Sequence, residues 1–421
     1  MRTIRYIDLF AGIGGIRLGL IQALEKLEIS SQCIMSSEIN EKARETYKLN
    51  FNETSQGDIR KIFDIPPFDF LLAGFPCQPF SYAGKKMGFG DTRGTLFFEI
   101  ERILESHKPR AFLLENVRGL TTHDQGRTYT TIKQKLNDLG YGVTELLLNS
   151  SDFGVPQNRV RLYVLGILGG DPKVTLKSNL GAKDSHSFKS DNCRASGLID
   201  PCLPKTVKNI LESKVDEKYN CTPLFRQQLT KAIGHDLSKL AGYRLIDYRG
   251  GKSLHSWELG TKGECTAQEI IFLNLLMKNR RKHQFGTHQD GKKLDIGQIK
   301  SFYTYDDILD VIDSLLKKGY LSDFDGKYNL NSGNMSFEVF KFLDPNSISI
   351  TLTSSDSDRL GVVQDNTPRR ITPRECARLQ GFPDSFVCYP SDDSAYKQFG
   401  NSVSVPVVRE VLYDFIRNNL R

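Results

Sequence analysis

A cysteine at position 77 has the setting of a nucleophile. It lies in the run Gly-Phe-Pro-Cys-Gln-Pro-Phe-Ser, residues 74–81, directly after the apolar segment 68–73. An apolar strand that ends at a turn rich in glycine and proline presents the next side chains at the edge of a sheet, where reactive groups are commonly mounted. Most free cysteines are buried packing residues, so the assignment of Cys77 depends on the other motifs of the chain.

Three charged side chains could serve such a thiol. Glu115 follows the apolar run 111–114 and therefore also falls at the end of a strand. A carboxyl group in a water-poor cleft has a raised pKa and can donate a proton to a ring nitrogen. Arg159 and Arg161 are two residues apart, which places them on one face of a strand. One of them could bind an anionic or carbonyl group beside the thiol and lower the pKa of the thiol, and the alternative is a surface ion pair.

The start of the chain predicts a nucleotide-type cradle. The sequence Asp-Leu-Phe-Ala-Gly-Ile-Gly-Gly at 8–15 indicates a strand, a glycine turn and a helix N-terminus whose backbone amides can approach a ligand closely. Glu38, at the end of the second strand, could accept ribose hydroxyls, and Asp58 could accept an adenine amino group. Each alone is an ordinary loop carboxylate, but their order favours an adenosine-containing cofactor. A polar turn at 398–406 would reach the same cleft.

Predicted strands and helices alternate over residues 1–170 and must position these residues. This βαβ pattern is typical of a largely parallel sheet. A polar stretch follows, and the alternation of predicted strands and helices resumes only near Arg369. We therefore predict an α/β protein whose first domain comprises residues 1–190 plus 397–421. A second, smaller domain is inserted over 191–396.

Composition restricts the classes of function. The chain has 421 residues, 39% of them hydrophobic and 25% charged, and can form two domains with buried cores. No segment approaches the roughly 20 apolar residues that span a bilayer. The eight cysteines contain no CxxC pair and no spacing with histidine that suits zinc, so we expect reduced thiols and no metal site. The start of the chain has no signal-peptide pattern, which favours an intracellular, cytoplasmic setting. The net charge of +7 is compatible with a polyanionic partner.

Six runs occur in an order and at spacings that resemble the DNA cytosine-5 methyltransferases of bacterial or phage restriction-modification systems. They are residues 8–15, 74–81, 115–117, 157–161, 369–383 and 400–405. The resemblance implies a Rossmann-like methyltransferase domain with a mixed, mostly parallel sheet, and it implies that the inserted domain recognises the target. It also implies S-adenosyl-L-methionine as cofactor and double-stranded DNA as partner. A cognate restriction endonuclease would act independently, and we expect a monomer.

The resemblance assigns roles to the residues around Cys77. Cytosine C5 is a poor nucleophile, so attack of the Cys77 thiolate on C6 first converts the ring to an enamine-like species, and C5 then takes the methyl group. By resemblance, Glu115 engages N3 and the amino group, and Arg161 contacts O2 in a site that includes Arg159. The base that reacts is buried in duplex DNA and must be flipped out.

The resemblance also assigns the binding residues. The cofactor pocket would comprise Phe10, Gly12, Gly14, Gly15, Glu38, Ile39, Asp58, Ile59, Pro76, Leu96, Asn401, Ser402 and Val403. The segment 78–96 is rich in glycine and carries several basic residues, which suits a mobile loop that closes over phosphates and the flipped base. We expect four of its residues to contact DNA, namely Gln78, Ser81, Lys85 and Arg93.

Residues 262–332 of the inserted domain predict a winged helix. A capping box at 266–269 opens a first helix, a short helix is predicted at 295–302, and a third begins at Thr304. Asp325-Gly326 then predicts a hairpin turn. Three helices closed by a hairpin resemble a fold that reads duplex DNA, and the basic cluster 278–282 predicts that Arg280 and Arg281 contact phosphates. The alternative is a purely structural helical insert.

Rival classes of protein lack the residues they require. A catalytically silent DNA-binding relative is expected to have lost Cys77 or Glu115, and an RNA methyltransferase of this fold would have a much shorter middle region. A fused endonuclease needs additional acidic metal-binding motifs, and a redox protein needs a resolving cysteine near Cys77. The sequence therefore favours a DNA methyltransferase and leaves its target site open.

Overall fold

A computed structural model describes residues 3–76, 96–178, 205–248, 250–286, 292–332 and 337–420. Its α-helices are α1 (Gly15–Lys26), α2 (Glu41–Phe51), α3 (Leu96–His107), α4 (Arg127–Asp138), α5 (Pro223–Ile233), α6 (Ser256–Leu259), α7 (Ala267–Asn279), α8 (Ile296–Lys300), α9 (Ile308–Lys317), α10 (Pro373–Leu379), α11 (Asp392–Asn401) and α12 (Val405–Asn419). Its strands are β1 (Thr3–Leu9), β2 (Ser30–Ser37), β3 (Phe70–Gly74), β4 (Ala111–Val117), β5 (Tyr141–Asn149), β6 (Val160–Leu168), β7 (Arg244–Leu245), β8 (Ser253–Leu254), β9 (Leu294–Asp295), β10 (Leu321–Asp323), β11 (Lys327–Leu330), β12 (Lys341–Phe342), β13 (Leu360–Gln364) and β14 (Thr367–Arg370).

The chain divides into two units. Unit 1 comprises residues 1–211, 346–357 and 373–421, and unit 2 comprises 212–345 and 358–372. This division differs from the predicted boundary at residue 396, because α10 and α11 belong to unit 1. Gln380, which follows α10, donates to the carbonyl of Phe399 at 2.9 Å and accepts from the amide of Val405 at 2.9 Å. These bonds join α10 to α11 and to the start of α12.

Unit 1 contains a six-stranded sheet in the order β2-β1-β3-β4-β6-β5. The strands β1 to β4 pair in parallel, and β6 runs antiparallel to both of its neighbours. This confirms the predicted mixed, mostly parallel sheet. Apolar residues of α1 and α12 pack on one face of the sheet, and those of α3 and α4 pack on the other. Because both faces are covered, the central strands are apolar throughout, as in residues 70–73.

Unit 2 contains a five-stranded sheet, β14-β13-β12-β7-β8, and a three-stranded sheet, β10-β11-β9. The succession α7, β9, α8, α9, β10, β11, with β11 between the other two strands, is that of a winged helix, as the sequence predicted. The capping box is present, because Thr266 Oγ1 accepts from the Glu269 amide at 3.2 Å and Glu269 Oε2 accepts from the Thr266 amide at 2.6 Å. No helix in the described parts of the chain is long and apolar enough to cross a lipid bilayer.

Arg280 lies in the interior of the winged helix rather than on its surface. It is 1% exposed. Its Nη1 donates to Asn329 Oδ1 on β11 at 2.6 Å, and its guanidinium group lies 5.2 Å from the centre of the Tyr248 ring. A side chain held in this way cannot reach a phosphate, so the predicted contact of Arg280 with DNA is wrong. Arg281 is exposed. The run of basic residues in the sequence could not show which of the two arginines is buried. The burial of Arg280 depends on β11, a strand far along the chain.

We expect Arg280→Ala to lower the free energy of unfolding by about 1–3 kcal/mol, because Asn329 loses a charged donor and Tyr248 loses packing. Arg281→Ala is the matched control and should change this free energy by less than about 0.5 kcal/mol. Urea unfolding followed by the fluorescence of Trp257, the single tryptophan of the chain and a core residue of the winged helix, measures both. Equal losses in the two variants would contradict the buried role of Arg280.

Candidate active site

The candidate site lies in unit 1, at the edge of the sheet where the parallel strands end. Leu9, Ser37, Gly74 and Val117 end β1, β2, β3 and β4 at this edge. Strand β6 runs in the opposite direction, so its first residues begin at the same edge, with Arg161 opposite Val117. In α/β folds the ligand binds in the crevice beyond the carboxyl ends of the parallel strands.

A glycine turn joins β1 to α1 at this edge. Phe10, Gly12 and Gly14 have φ angles of 54°, 55° and 86°. Glycine adopts this left-handed region without strain, whereas a phenylalanine there is uncommon and typical of functional turns. Among the described residues, nothing lies within 4 Å of the position that a Cβ on Gly12 would take. The turn therefore leaves open space above its backbone, as a nucleotide cradle requires.

The polar turn before α12 packs against the glycine turn. A Cβ on Gly15 would lie 2.7 Å from Ser402 Oγ and 2.9 Å from Val403 Cγ2. Only glycine therefore fits at position 15 without displacing these side chains. Val403 is buried and Asn401 is exposed. The structure thus brings together the two turns that the sequence predicted to share a cleft.

Glu38 fixes the glycine turn to the end of β2. Its Oε2 accepts from the Gly12 amide at 2.9 Å, and its Oε1 accepts from the Asn40 amide at 2.8 Å. The neighbouring Ile39 is 67% exposed. A large apolar side chain at this position offers a flat surface to a ring, and the carboxylate beside it has further lone pairs that can accept hydroxyl groups.

Asp58 is held by its own loop. Its carboxylate accepts from the Arg60 amide at 3.1 Å and pairs with Arg60 Nη2 at 2.5 Å. The hydrogen bonds from the Arg60 side chain lower the pKa of Asp58, so this carboxylate is ionised and can accept further hydrogen bonds. The next residue, Ile59, is buried. Of the remaining predicted cofactor residues, Pro76 is exposed and Leu96 is half-buried at the start of α3.

Glu115 and Arg161 form a buried ion pair at the end of β4. Arg161 Nε lies 3.3 Å from Glu115 Oε1, and the two side chains are only 15% and 10% exposed. Burial raises the pKa of Glu115, whereas the positive charges of Arg161 and Arg159 act to lower it. Glu115 Oε1 accepts no hydrogen bond from any described residue. The site therefore contains a buried carboxyl oxygen that contacts Arg161 but accepts no hydrogen bond from the described residues.

The end of β4 also holds the segment that leads to Cys77. Asn116 Nδ2 donates to the Phe75 carbonyl at 3.0 Å. A Cβ on Gly74 would lie 3.8 Å from Glu115 Oε2, so the carboxylate is next to this segment. The predicted nucleophile Cys77 lies outside the described residues. The same holds for the four predicted DNA contacts, which are Gln78, Ser81, Lys85 and Arg93.

The guanidinium group of Arg159 is buried and binds backbone carbonyls through two of its nitrogens. It is 3% exposed. Its Nη1 donates to the Leu352 carbonyl at 2.7 Å, and its Nη2 donates to the Ser402 carbonyl. Burial, together with the charge of Arg161, lowers the pKa of Arg159 to about 9. These bonds fix the backbone near residues 352 and 402, and the catalytic role of Arg159 stays a prediction.

A second buried polar group lies below the glycine turn and was not singled out by the sequence patterns. Asp8 on β1 is completely buried, and Tyr47 donates to its Oδ2 at 3.4 Å. Arg17 donates to Tyr47 at 2.9 Å and to both carboxylate oxygens of Glu53 at 2.7 and 2.8 Å. Burial raises the pKa of Asp8 to about 7, although Arg17 opposes the shift. Asp8 is the first residue of the motif 8–15. Its burial follows from the strands that flank β1, namely β2 and β3, and the motif alone does not predict these neighbours.

Comparison with known proteins identifies close relatives over nearly the whole chain. A model of the C-5 cytosine-specific DNA methylase family matches residues 4–417. The chain is 63% identical to the Type II methyltransferase M.BanI of Aneurinibacillus aneurinilyticus, over 99% of this chain and 96% of that protein. It is 61% identical to the Type II methyltransferase M.HgiCI of Herpetosiphon aurantiacus, over 99% and 98%. Among solved structures, the S. pombe Dnmt2 methyltransferase matches with a TM-score of 0.54 at 18% identity, over 99% of this chain and 100% of that chain. This last likeness shows the fold alone.

The raised pKa of Asp8 predicts a pH dependence of stability. Between its ordinary pKa of 3.8 and its folded value of about 7, the carboxyl group is protonated in the folded protein and ionised in the unfolded chain. The folded state therefore loses stability as the pH rises through this interval. Asp8→Asn cannot ionise, so the melting temperature of the variant should rise relative to that of the parent as the pH increases from about 4 to about 7, and the difference should then level off.

Thermal unfolding at several pH values measures this difference. Asp64→Asn, at an exposed position, is the control and should follow the parent at every pH. A difference between Asp8→Asn and the parent that is constant with pH would show that Asp8 is not protonated on folding.

Proposed function

The chain belongs to the C-5 cytosine-specific DNA methylases and is a DNA cytosine-5 methyltransferase, and we propose that Cys77, Glu115 and Arg161 carry out its reaction. The observation that supports this proposal is the buried ion pair of Glu115 and Arg161 at the carboxyl edge of the sheet, next to the segment that leads to Cys77. A buried carboxyl oxygen that accepts no hydrogen bond from the described residues is the group expected where a flipped base must be held.

Cys77 is the nucleophile. Its thiolate adds to C6 of the cytosine, and a bond from sulfur to C6 forms while the electrons of the C5–C6 double bond move toward C5 and N3. Glu115 engages N3 and the amino group, and its raised pKa favours a carboxyl group that can donate a proton to N3. Arg161 donates to O2. After methylation, loss of the C5 proton and release of the thiolate restore the aromatic ring.

The glycine turn and its neighbours bind S-adenosyl-L-methionine, which supplies an electrophilic methyl group when bound. The open space above Gly12 and the ionised Asp58 fit an adenosine-containing ligand. Glu38 would accept the ribose hydroxyls, and Asp58 would accept the adenine amino group. Ile39, which is exposed, would pack against the adenine ring. The remaining residues of this site line the cleft or shape it, namely Phe10, Gly14, Gly15, Ile59, Pro76, Leu96, Asn401, Ser402 and Val403.

The segment 78–96 contacts the DNA and the flipped base, through Gln78, Ser81, Lys85 and Arg93. Two relatives that are 63% and 61% identical to the chain are named Type II methyltransferases. We therefore propose that the enzyme belongs to a restriction-modification system and protects DNA against a separate endonuclease. We further propose that it acts in the cytoplasm as a monomer.

Cys77→Ser is expected to lower methyl transfer by roughly a thousandfold or more while DNA binding persists, because a serine hydroxyl is not ionised at neutral pH without a dedicated base. Transfer of a labelled methyl group to unmethylated genomic DNA measures the loss. DNA synthesised with 5-fluorocytosine should trap a covalent adduct with the parent but not with the variant. Cys388→Ser, at a half-buried position of unit 1, is the control and should retain both properties. Normal turnover of Cys77→Ser would refute the assignment.

Glu38→Ala should weaken the binding of S-adenosylhomocysteine by roughly tenfold to a hundredfold, because a charge-assisted acceptor is removed and the Gly12 amide loses its partner. Glu41→Ala, three residues further along and exposed at the start of α2, should bind the ligand like the parent. Titration calorimetry compares the three proteins. Unchanged affinity in Glu38→Ala would exclude Glu38 from the adenosine pocket.

A further inference from the structure

The third helix of the winged helix has an acidic exposed face. In a helix-turn-helix the recognition helix usually enters the major groove. Here that helix is α9, and between residues 304 and 317 the chain has four aspartates, one lysine and no arginine, asparagine or glutamine. The exposed residues of α9 include Leu309, Asp310 and Asp313, and Leu309 is 62% exposed. The lysine, Lys317, is paired with Asp313 at 2.6 Å.

This face is unsuited to DNA. Base edges in the major groove are read mainly by arginine, lysine, asparagine and glutamine, and phosphates are bound by cations. A carboxylate about 4 Å from a phosphate is repelled by about 1 kcal/mol even in bulk water, and by more in a partly dehydrated interface. The residues of α9 that could offset this repulsion are absent or already paired. Insertion of α9 into a groove is therefore unfavourable.

A second surface of the same fold is basic. Lys278, Arg281 and Lys282 are exposed at the end of α7, Lys293 is exposed just before β9, and Lys327 is exposed at the start of β11. We call these five residues the basic pole. Three sets of contacts connect its parts. Arg280 joins the end of α7 to Asn329 of β11, Lys327 is opposite Asp295 in the ladder of β11 and β9, and Lys292 donates to the Gly286 carbonyl.

The carboxylates near the basic pole have local structural roles. Asp323 accepts from the Gly326 amide at 2.8 Å and closes the hairpin turn, and Asp295 accepts from the Gln298 amide at 2.8 Å and caps α8. Asp325 is exposed at the turn. The hairpin also carries Phe324, which is 41% exposed, with Lys293 Nζ 3.5 Å from its ring centre. A cation and an exposed ring at the tip of the hairpin suit contact with a sugar-phosphate backbone and a groove.

We propose that the winged helix binds the backbone of duplex DNA through the basic pole, with the hairpin toward a groove and α9 directed away from the DNA. This contact is separate from the residues that carry out methyl transfer in unit 1, and it rests on the enzyme acting on duplex DNA. It contributes affinity that is independent of base sequence and sensitive to salt, because each phosphate that a cation neutralises releases counterions.

The test compares two triple variants of the full-length enzyme. The pole variant carries Lys278→Gln, Lys282→Gln and Lys327→Gln. The matched control carries Asp306→Asn, Asp310→Asn and Asp313→Asn before and within α9. Binding to a mixed-sequence duplex is measured by fluorescence anisotropy over a range of salt concentrations. Trp257 fluorescence during urea unfolding verifies that both variants are folded.

We expect the pole variant to bind roughly tenfold or more weakly at low salt. The slope of log K against log salt should become shallower by about 0.9 for each phosphate that the variant no longer neutralises. The α9 variant should bind within about twofold of the parent, since its face does not meet DNA. Should the triple variant fold poorly, Lys282→Gln alone should reduce the slope by about 0.9. At saturating DNA the rate of methyl transfer should be unchanged in every variant. A failure of the proposed DNA contact can therefore be distinguished from a failure of the catalytic role assigned to Cys77.

Two results would overturn the proposal. The first is a pole variant with the salt slope and affinity of the parent. The second is an α9 variant that methylates a different set of cytosines in genomic DNA, as read by bisulfite sequencing, because α9 would then be reading bases. In either case an unchanged rate at saturating DNA would leave the catalytic assignment intact.

Discussion

The buried guanidinium group of Arg159 holds together the parts of unit 1 on which the site depends. The chain leaves unit 1 after residue 211 and returns at residue 346, so the returning segment must be fixed to a sheet that was completed far earlier. Arg159 donates to the carbonyls of Leu352 and Ser402, and Gln157 accepts from the Leu352 amide at 2.8 Å and donates to the Leu379 carbonyl at 2.7 Å. Burial disfavours the charged guanidinium, and these carbonyl groups offset that cost. Because Ser402 packs against Gly15, the same interaction sets the position of the glycine turn.

This constraint also determines the electrostatics of the reactive edge. Arg159 and Arg161 both act on Glu115, but Nη1 and Nη2 of Arg159 are engaged by carbonyls, and among the described residues it is Arg161 that forms an ion pair with the carboxylate. One ion contact at 3.3 Å does not satisfy a buried carboxylate, whose four lone-pair sites require several donors. Burial therefore raises the pKa of Glu115 in spite of two nearby cations. A ligand that donates to Glu115, as in the proposed reaction, would supply the hydrogen bond that the described residues do not.

The sequence was sufficient where local patterns determine the outcome. Strands that end at glycine or at a carboxylate, in βαβ order, predicted the parallel part of the sheet and placed Glu38 and Glu115 at the ends of strands, whereas Asp58 lies in the loop between β2 and β3. Helical periodicity with a hairpin turn predicted the winged helix. It was insufficient where burial depends on distant partners. Arg280 is buried against Asn329, which is 49 residues further along the chain. Arg159 donates hydrogen bonds to the backbone of segments near residues 352 and 402. A charged residue in a motif indicates a site by its type, but whether it faces a ligand or the backbone is decided by tertiary packing.

The same limit applies to the face of the winged helix. Helix α9 places Ile308, Val311, Ile312 and Leu315 in the core. The residues between these four positions therefore form its exposed side. Lys318 at its end could have offset the aspartates, but it donates to both carboxylate oxygens of Glu269 at 2.7 Å. Glu269 in turn completes the capping box of α7. The helix cap that starts the fold therefore engages the lysine that directly follows α9. The exposed lysines of the basic pole lie instead at the end of α7, before β9 and in the hairpin, and this distribution follows from packing rather than from the count of charges.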